Sequence, residues 1–182
     1  MAKASFLSDV LNRWVINTEL GRSDTGEIQL LQNQLDVVPE DGILILDRAY
    51  ASIALIHKLN QLNIKFLIRC KKSHSNTVKK FVANTEMRDV IIKEKLTDRA
   101  ITTLKKEVEN DSIAKAAINC HVKVSYRLVK VALPNGEEEI LMTNIFDSDF
   151  KEEDFGYIYN KRWGVETAID AFKNKLRVEL FS

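Results

Sequence analysis

The segment from Tyr159 to Lys173 constrains the fold strongly, because its residues repeat at the spacing of an α-helix. At 100° per residue, its characteristic polar residues fall within an arc of about 60°. These residues are Tyr159, Arg162, Glu166 and Lys173. The neighbouring arc is apolar, as on a helix that packs against a core, and contains Ile158, Val165, Ile169, Phe172 and Leu176. We therefore predict one amphipathic helix with a polar stripe beside its buried face.

The polar stripe has two interpretations. On a helix, Tyr159 and Lys173 lie about 21 Å apart along the axis, a length that spans several nucleotides. A carboxylate flanked by cations on such a line suits a metal ion beside a phosphate backbone. The alternative is a solvated helix edge on which Arg162 and Glu166 form an i, i+4 pair. Spacing alone does not distinguish the two.

A second candidate carboxylate follows a short buried strand. Residues 43–46 read Ile-Leu-Ile-Leu, an apolar run typical of a strand buried on both faces, and Asp47 comes next. Ligands collect at the carboxyl ends of strands in open α/β sheets, so Asp47 is well placed to bind a metal. An aspartate after a strand is also a common turn former or helix cap.

The remaining patterns predict an α/β chain. The first strands form a hairpin whose turn is at Asn12-Arg13, with Trp14 in the core. Further along the chain we predict helices over 25–38, 52–62 and 97–108, a strand over 64–68, irregular strands within 77–95, and a clear hairpin within 121–143.

Basic residues are concentrated in one part of the chain. The net charge is only +1, but no acidic residue lies between Asp47 and Glu86. That basic zone contains Arg48, Lys58, Lys65, Arg69, Lys71, Lys72, Lys79 and Lys80. Such segregation is the electrostatic footprint of a polyanion-binding protein, although surface lysines also cluster by chance. We assign Arg48, Lys71 and Lys72 to nucleic-acid binding.

Composition excludes several other classes of protein. The 182 residues are 45% hydrophobic and 29% charged, which is ordinary for a globular domain. Cys70 and Cys120 fit neither a zinc spacing nor a disulfide framework, so we expect free thiols in a reducing cytoplasm. No apolar stretch approaches the length of a membrane span, and we expect no membrane insertion.

The order Tyr, two residues, Arg, three residues, Glu, six residues, Lys resembles the Y-R-E-K signature of bacterial insertion-sequence transposases of the DDE class. The resemblance implies that Glu166 is a catalytic metal ligand and that Tyr159, Arg162 and Lys173 bind DNA. It also implies that Asp47 is the second catalytic aspartate, beginning a motif in which Ala49 replaces the usual glycine.

The implied fold is an incomplete RNase H-like mixed sheet with flanking helices. Residues 1–69 would form the first part of this core, 70–144 a β-rich insertion, and 145–182 the C-terminal catalytic helix. The family requires another aspartate on a first strand that this chain starts too late to contain, and Asp9 is a poor substitute because it lies within a strand pattern. We therefore expect a truncated transposase that is inactive alone.

For the complete enzyme, the resemblance implies cleavage of phosphodiester bonds and strand transfer with two Mg²⁺ or Mn²⁺ ions. The expected partner is double-stranded DNA, at transposon ends and at the target, and the full-length enzyme could be a homodimer. The implied location is the bacterial cytoplasm, on the nucleoid. The alternatives are a non-catalytic DNA-binding or transposition-inhibiting remnant and a plain α/β interaction domain without DNA affinity.

Overall fold

The structure is a computed structural model, and it describes residues 2–98, 100–102, 123–133 and 136–162. The chain divides into two compact units. The first comprises Met1–Pro39 with Tyr157–Ser182, and the second comprises Glu40–Gly156.

An antiparallel hairpin begins the first unit. Strand β1 is Ala2–Asp9 and strand β2 is Trp14–Arg22. The turn lies between them and places Arg13 in the left-handed region, with φ of 59°. Two main-chain N–H groups of the turn, at Leu11 and Asn12, donate to Oδ1 of Asp9. The predicted strands and their turn are therefore confirmed.

The hairpin packs against a helix shorter than predicted. Helix α1 is Glu27–Gln32, with Leu30 and Leu31 buried, and a separate 3-10 helix covers Leu35–Val37. The predicted single helix over 25–38 is thus wrong at its second half. Gln34 lies between the two pieces, and its buried side chain bonds to the hydroxyl and the carbonyl oxygen of Ser5. These bonds tie the interruption to β1.

Trp14 does not lie in the core, contrary to the prediction. Its exposed fraction is 66%, and that of Leu20 on the same strand is 71%. The alternation that suggested a buried face is present, but the described residues leave this face of β2 uncovered.

The described part of the second unit contains a mixed sheet of five strands in the order β3-β4-β7-β6-β5. Strand β3 runs parallel to β4, and the other neighbouring pairs are antiparallel. The bounds are β3 Ile43–Leu46, β4 Lys65–Cys70, β5 Asp89–Lys95, β6 Lys123–Ala132 and β7 Glu138–Thr143. Strand β5 is at one edge of this order, and its exposed residues alternate from Asp89 to Lys95.

Helices flank this sheet. Helix α2, Ile53–Gln61, connects the parallel strands β3 and β4. Helix α3 is Asn76–Ala83, and helix α4 is Glu152–Asn160. Helix α3 packs on the face of β6 that carries Lys130, whose ammonium lies 5.0 Å from the ring centroid of Phe81. Because successive side chains of a strand point to opposite faces, Arg127 and Val131 belong to the other face, where α4 packs.

The predicted α/β class, with a mixed sheet and flanking helices, is confirmed. Strand β3, helix α2, strand β4 and the hairpin of β6 and β7 all form where the sequence predicted them. Residues 77–83 are wrong as irregular strands, because they belong to α3. Val78 and Phe81 are buried at i, i+3 spacing while Lys79 and Lys80 are exposed, a pattern of a helix.

The predicted segment boundaries stay predictions. Strands β5, β6 and β7 come from the predicted insertion of residues 70–144, and they lie in the same sheet as β3 and β4. The predicted helix over 97–108 is helical at residues 98 and 100–102, and its remainder lies outside the described residues.

Arg127 holds α4 and the loop before it onto the sheet. Its buried guanidinium donates to both carboxylate oxygens of Asp89. It also donates to the carbonyl oxygens of Ile145, Asp147 and Phe150 at 3.3, 2.8 and 3.0 Å. Its central carbon lies 5.0 Å from the ring centroid of Phe155 in α4. One side chain therefore joins β6, β5, the loop and the helix.

We expect Arg127→Met to lower the free energy of unfolding by about 3 kcal/mol, because it leaves the Asp89 carboxylate and three carbonyl oxygens without this donor. Urea denaturation followed by circular dichroism measures the change. Arg48→Met, at an exposed arginine, is the matched control and should stay within about 0.5 kcal/mol. Equal losses in both variants would contradict the role of Arg127.

Gly156 lies where α4 approaches β6 closely. A Cβ at this position would lie 2.7 Å from Cγ1 of Val131. Gly156→Ala should therefore destabilise the protein by about 1 kcal/mol, because overpacking outweighs the better helix propensity of alanine. If thermal melting shows Gly156→Ala to be as stable as the unmodified protein, the close approach is incorrect.

Candidate functional site

Asp47 follows β3 directly, with its backbone still extended at φ −79° and ψ 175°. It caps a 3-10 helix over Arg48–Tyr50, and its Oδ1 accepts the N–H of Ala49. Within the described residues, Oδ2 makes no hydrogen bond. The half-buried side chain therefore forms a turn cap and still offers one carboxylate oxygen.

Ala49 fits the loop that follows Asp47. Among the described residues other than glycine, only Arg13 and Asn63 have positive φ. The position therefore needs none of the conformational freedom that distinguishes glycine from alanine.

The sheet brings four predicted site residues to one edge. Strands β3 and β4 are parallel, with Leu46 paired to Ile68, so their carboxyl ends lie at the same edge. Asp47 and Arg48 follow β3 there, and Lys71 and Lys72 follow β4. Arg48, Lys71 and Lys72 are exposed, and none of the three has an ion-pair partner within the described part of the chain.

The predicted basic zone is not one surface. Lys65 begins β4 and pairs with Ile43, so it lies at the opposite edge from Asp47. Arg69 is paired with Glu139, with 2.7 Å between Nη2 and Oε1. The basic residues that cluster in the sequence are therefore divided between the two ends of β4.

The loop after β4 is attached to the sheet through α3. Ser75 caps this helix by accepting the N–H of Val78 at 3.2 Å. The hydroxyl of Thr77 donates to Glu94 on β5 at 2.8 Å, and the hydroxyl of Tyr126 on β6 donates to the same carboxylate at 2.8 Å. These bonds fix the start of α3 and hence the loop that carries Lys71 and Lys72.

Tyr159 and Arg162 are the described members of the polar stripe. Tyr159 lies on α4 and is buried, with an exposed fraction of 3%. Arg162 lies in the turn after α4, and its guanidinium carbon is 5.6 Å from the centroid of the Tyr159 ring. The predicted single helix is wrong at this point, because α4 ends at Asn160. Glu166 and Lys173 lie outside the described residues.

No group of three metal-binding side chains occurs in the described ranges. Asp9 serves the hairpin turn: hydrogen bonds from the main chain and side chain of Asn12 lower its pKa below the usual value. Asp47 fits a divalent cation better, because its free oxygen is a hard carboxylate ligand at a strand end. The thiol of Cys70 is unsuited to nucleophilic chemistry, since burial raises its pKa to about 12.

Sequence reasoning missed two charged pairs of the sheet. The pair of Arg69 and Glu139 lies at the same edge of the sheet as Asp47. The pair of Arg127 and Asp89 lies on strands further along the sheet. A cation at the centre of a strand rich in apolar residues was the available signal for Arg127. Its carboxylate partner could not be inferred without the register of β5 and β6.

Comparison with known families agrees with this geometry. The sequence model of the family described as "Transposase DDE domain" matches residues 1–182. The chain belongs to this transposase family. No match was found among curated proteins.

Membership explains the general architecture of this transposase domain. The mixed sheet with flanking helices is consistent with an RNase H-like DDE domain. Transposases of this family generally use divalent metal ions and act on DNA, in keeping with the carboxylate and the cations at one edge of the sheet. No helix within the described ranges has the length and apolar character needed to cross a membrane.

Two histidines should make stability depend on pH. Burial lowers the pKa of His57 in α2, and burial is also the largest cause of the lowered pKa of His74. In the unfolded chain these histidines bind protons near pH 6.5, whereas in the folded chain they stay neutral to lower pH. The folded state is therefore most stable above about pH 6.5 and loses stability as the pH falls toward 5. Urea denaturation at pH 7.5 and 5.5 should show this loss.

The double variant His57→Gln/His74→Gln should depend less on pH over the same range, whatever its absolute stability. His121 is left unchanged. An equally steep loss in the variant would contradict the assignment to these two side chains.

Proposed function

We propose that this chain forms part of the catalytic domain of a cut-and-paste transposase of a bacterial insertion sequence. The reaction is cleavage of phosphodiester bonds at transposon ends, followed by strand transfer. The position of Asp47 carries the proposal. A half-buried carboxylate with one uncommitted oxygen stands at the carboxyl end of a parallel strand, beside exposed cations.

Asp47 and Glu166 are the proposed metal ligands. Both are carboxylates, the ligand type that Mg²⁺ and Mn²⁺ prefer, and Asp47 is oriented by the N–H of Ala49. When bound, divalent ions supply charge stabilisation for the attacking and leaving oxygens of a phosphodiester. The chain itself would supply carboxylate ligands for the ions and, beside Asp47, cations that bind the DNA.

The proposed DNA-binding residues fall into two groups. Arg48, Lys71 and Lys72 would neutralise phosphates at the edge that carries Asp47. Tyr159, Arg162 and Lys173, which form the Y-R-E-K pattern together with Glu166, would hold the DNA at the transposon end. Contacts of these types fix the position of DNA through its backbone, and sequence must be read by other residues.

Titration with Mn²⁺, with free ion measured by electron paramagnetic resonance, tests the metal ligands. We expect Asp47→Asn and Glu166→Gln each to weaken binding by at least about tenfold, because each removes a charged oxygen ligand. Asp24→Asn is the control, since this exposed carboxylate pairs with Arg22 in the hairpin unit, and it should bind as the unmodified protein does.

Equal affinities in all four proteins would remove Asp47 and Glu166 from a metal site. Circular dichroism of each variant establishes that the fold is retained. A loss only in Asp47→Asn would refute the role of Glu166 while leaving that of Asp47.

A further inference from the structure

Arg69 lies directly beside Asp47 at the carboxyl edge of the parallel strands. The register pairs Ile45 with Leu67 and Leu46 with Ile68, so Asp47 and Arg69 come next on neighbouring strands. Neighbouring strands are about 4.8 Å apart. The extended backbone of Asp47 continues the alternation of β3, so both side chains belong to the same face of the sheet.

The guanidinium of Arg69 is only partly used. Its Nη2 lies 2.7 Å from Oε1 of Glu139 on β7, and the side chain is 36% exposed. Within the described residues it has no second partner. An arginine has five N–H donors in a planar fork, so most of this fork remains available for an acceptor with the geometry of a phosphate.

The other paired arginines of this sheet are held more completely. Arg127 is buried and bonded to a carboxylate and three carbonyl oxygens. Arg88 bonds to two carboxylates, those of Glu138 and Glu152. Arg69 has a single partner among the described residues, so only one ion pair opposes its turning toward an incoming anion.

Glu139 holds the guanidinium of Arg69 against the sheet. Its side chain is 12% exposed, so it is the more buried partner and keeps Arg69 close to the sheet. A phosphate arriving beside Asp47 would compete with Glu139 for the same guanidinium. Arginine suits this exchange better than lysine, because its fork binds carboxylate and phosphate in the same bidentate manner.

We propose that Arg69 binds a backbone phosphate of the DNA beside Asp47, and that Glu139 holds it in place until the DNA arrives. The inference rests on the proposed function and adds a phosphate-binding residue to the same site. Removing Arg69 should weaken DNA binding, and removing the charge of Glu139 should strengthen it. Once Arg69 is gone, Glu139 should have little further effect.

Binding of a fluorescein-labelled DNA duplex to the 182-residue chain, followed by anisotropy over a series of salt concentrations, tests these expectations. Arg69→Gln should weaken binding about fivefold at low salt and reduce the slope of log affinity against log salt by about one. Arg69→Lys keeps the charge and should keep most of that slope. Glu139→Gln should tighten binding about twofold to threefold, because a competing charge is lost.

The double variant Arg69→Gln/Glu139→Gln should bind as Arg69→Gln does. The exposed pair Arg22 and Asp24 supplies the control, and Arg22→Gln and Asp24→Asn should leave both affinity and slope unchanged. Melting temperatures of all variants establish that they fold.

Three results overturn the proposal: an unchanged salt slope in Arg69→Gln, weaker binding by Glu139→Gln, or independent effects of the two changes. If Lys71→Gln/Lys72→Gln loses affinity while Arg69→Gln does not, Arg69 is only structural and the DNA-binding proposal survives. If the unmodified chain binds no duplex even at low salt, both proposals fail.

Discussion

A buried guanidinium must be fully paired, and this requirement at Arg127 organises the second unit. Desolvating a charge is costly, so the position is stable only with acceptors on several sides. Those acceptors come from β5, from the loop after β7 and, through the Phe155 ring, from α4. Because Arg127 binds the backbone carbonyls of the loop, it fixes the position of the loop backbone. Helix α4 consequently starts from a defined point on the sheet.

A second attachment reinforces that starting point. Arg88, immediately before β5, bonds to Glu152 in the first turn of α4, with 3.0 Å between Nε and Oε2. Carboxylates in this turn also suit the positive end of the helix dipole. The close approach at Gly156 completes the contact, since no larger residue fits without moving Val131. Electrostatics and shape therefore specify the same docking of one helix.

Sequence patterns recovered the features that depend on local order. The apolar run of β3 with Asp47 at its end, helix α2 and the hairpin of β6 and β7 are each encoded by periodicity and turn chemistry. The sequence patterns gave wrong predictions where the environment of a residue depends on segments that are distant in the sequence. Exposure of Trp14 depends on what covers β2, and the separation of Lys65 from Lys71 depends on the direction of β4.

The candidate site was predictable only in part, for the same reason. Asp47 was identifiable from its strand and from the family resemblance, but the pairing of Arg69 with Glu139 requires the order of β4 and β7 in the sheet. The end of α4 at Asn160 could not be predicted from the amphipathic spacing, because a turn with i, i+3 bonds at Lys161 and Arg162 is compatible with the same spacing.

Strand β5 is the outermost of the described strands in its sheet, and it bears on how copies of this protein behave at high concentration. A strand with one free side is a template for pairing with another chain, and lysines along such a strand oppose that pairing. Lys93 and Lys95 are exposed on β5, two residues apart, next to the exposed apolar Ile91. Continuing the sheet into a neighbouring molecule would force these ammonium groups against one another or out of water. Lys93 and Lys95 therefore oppose edge-to-edge aggregation through this strand.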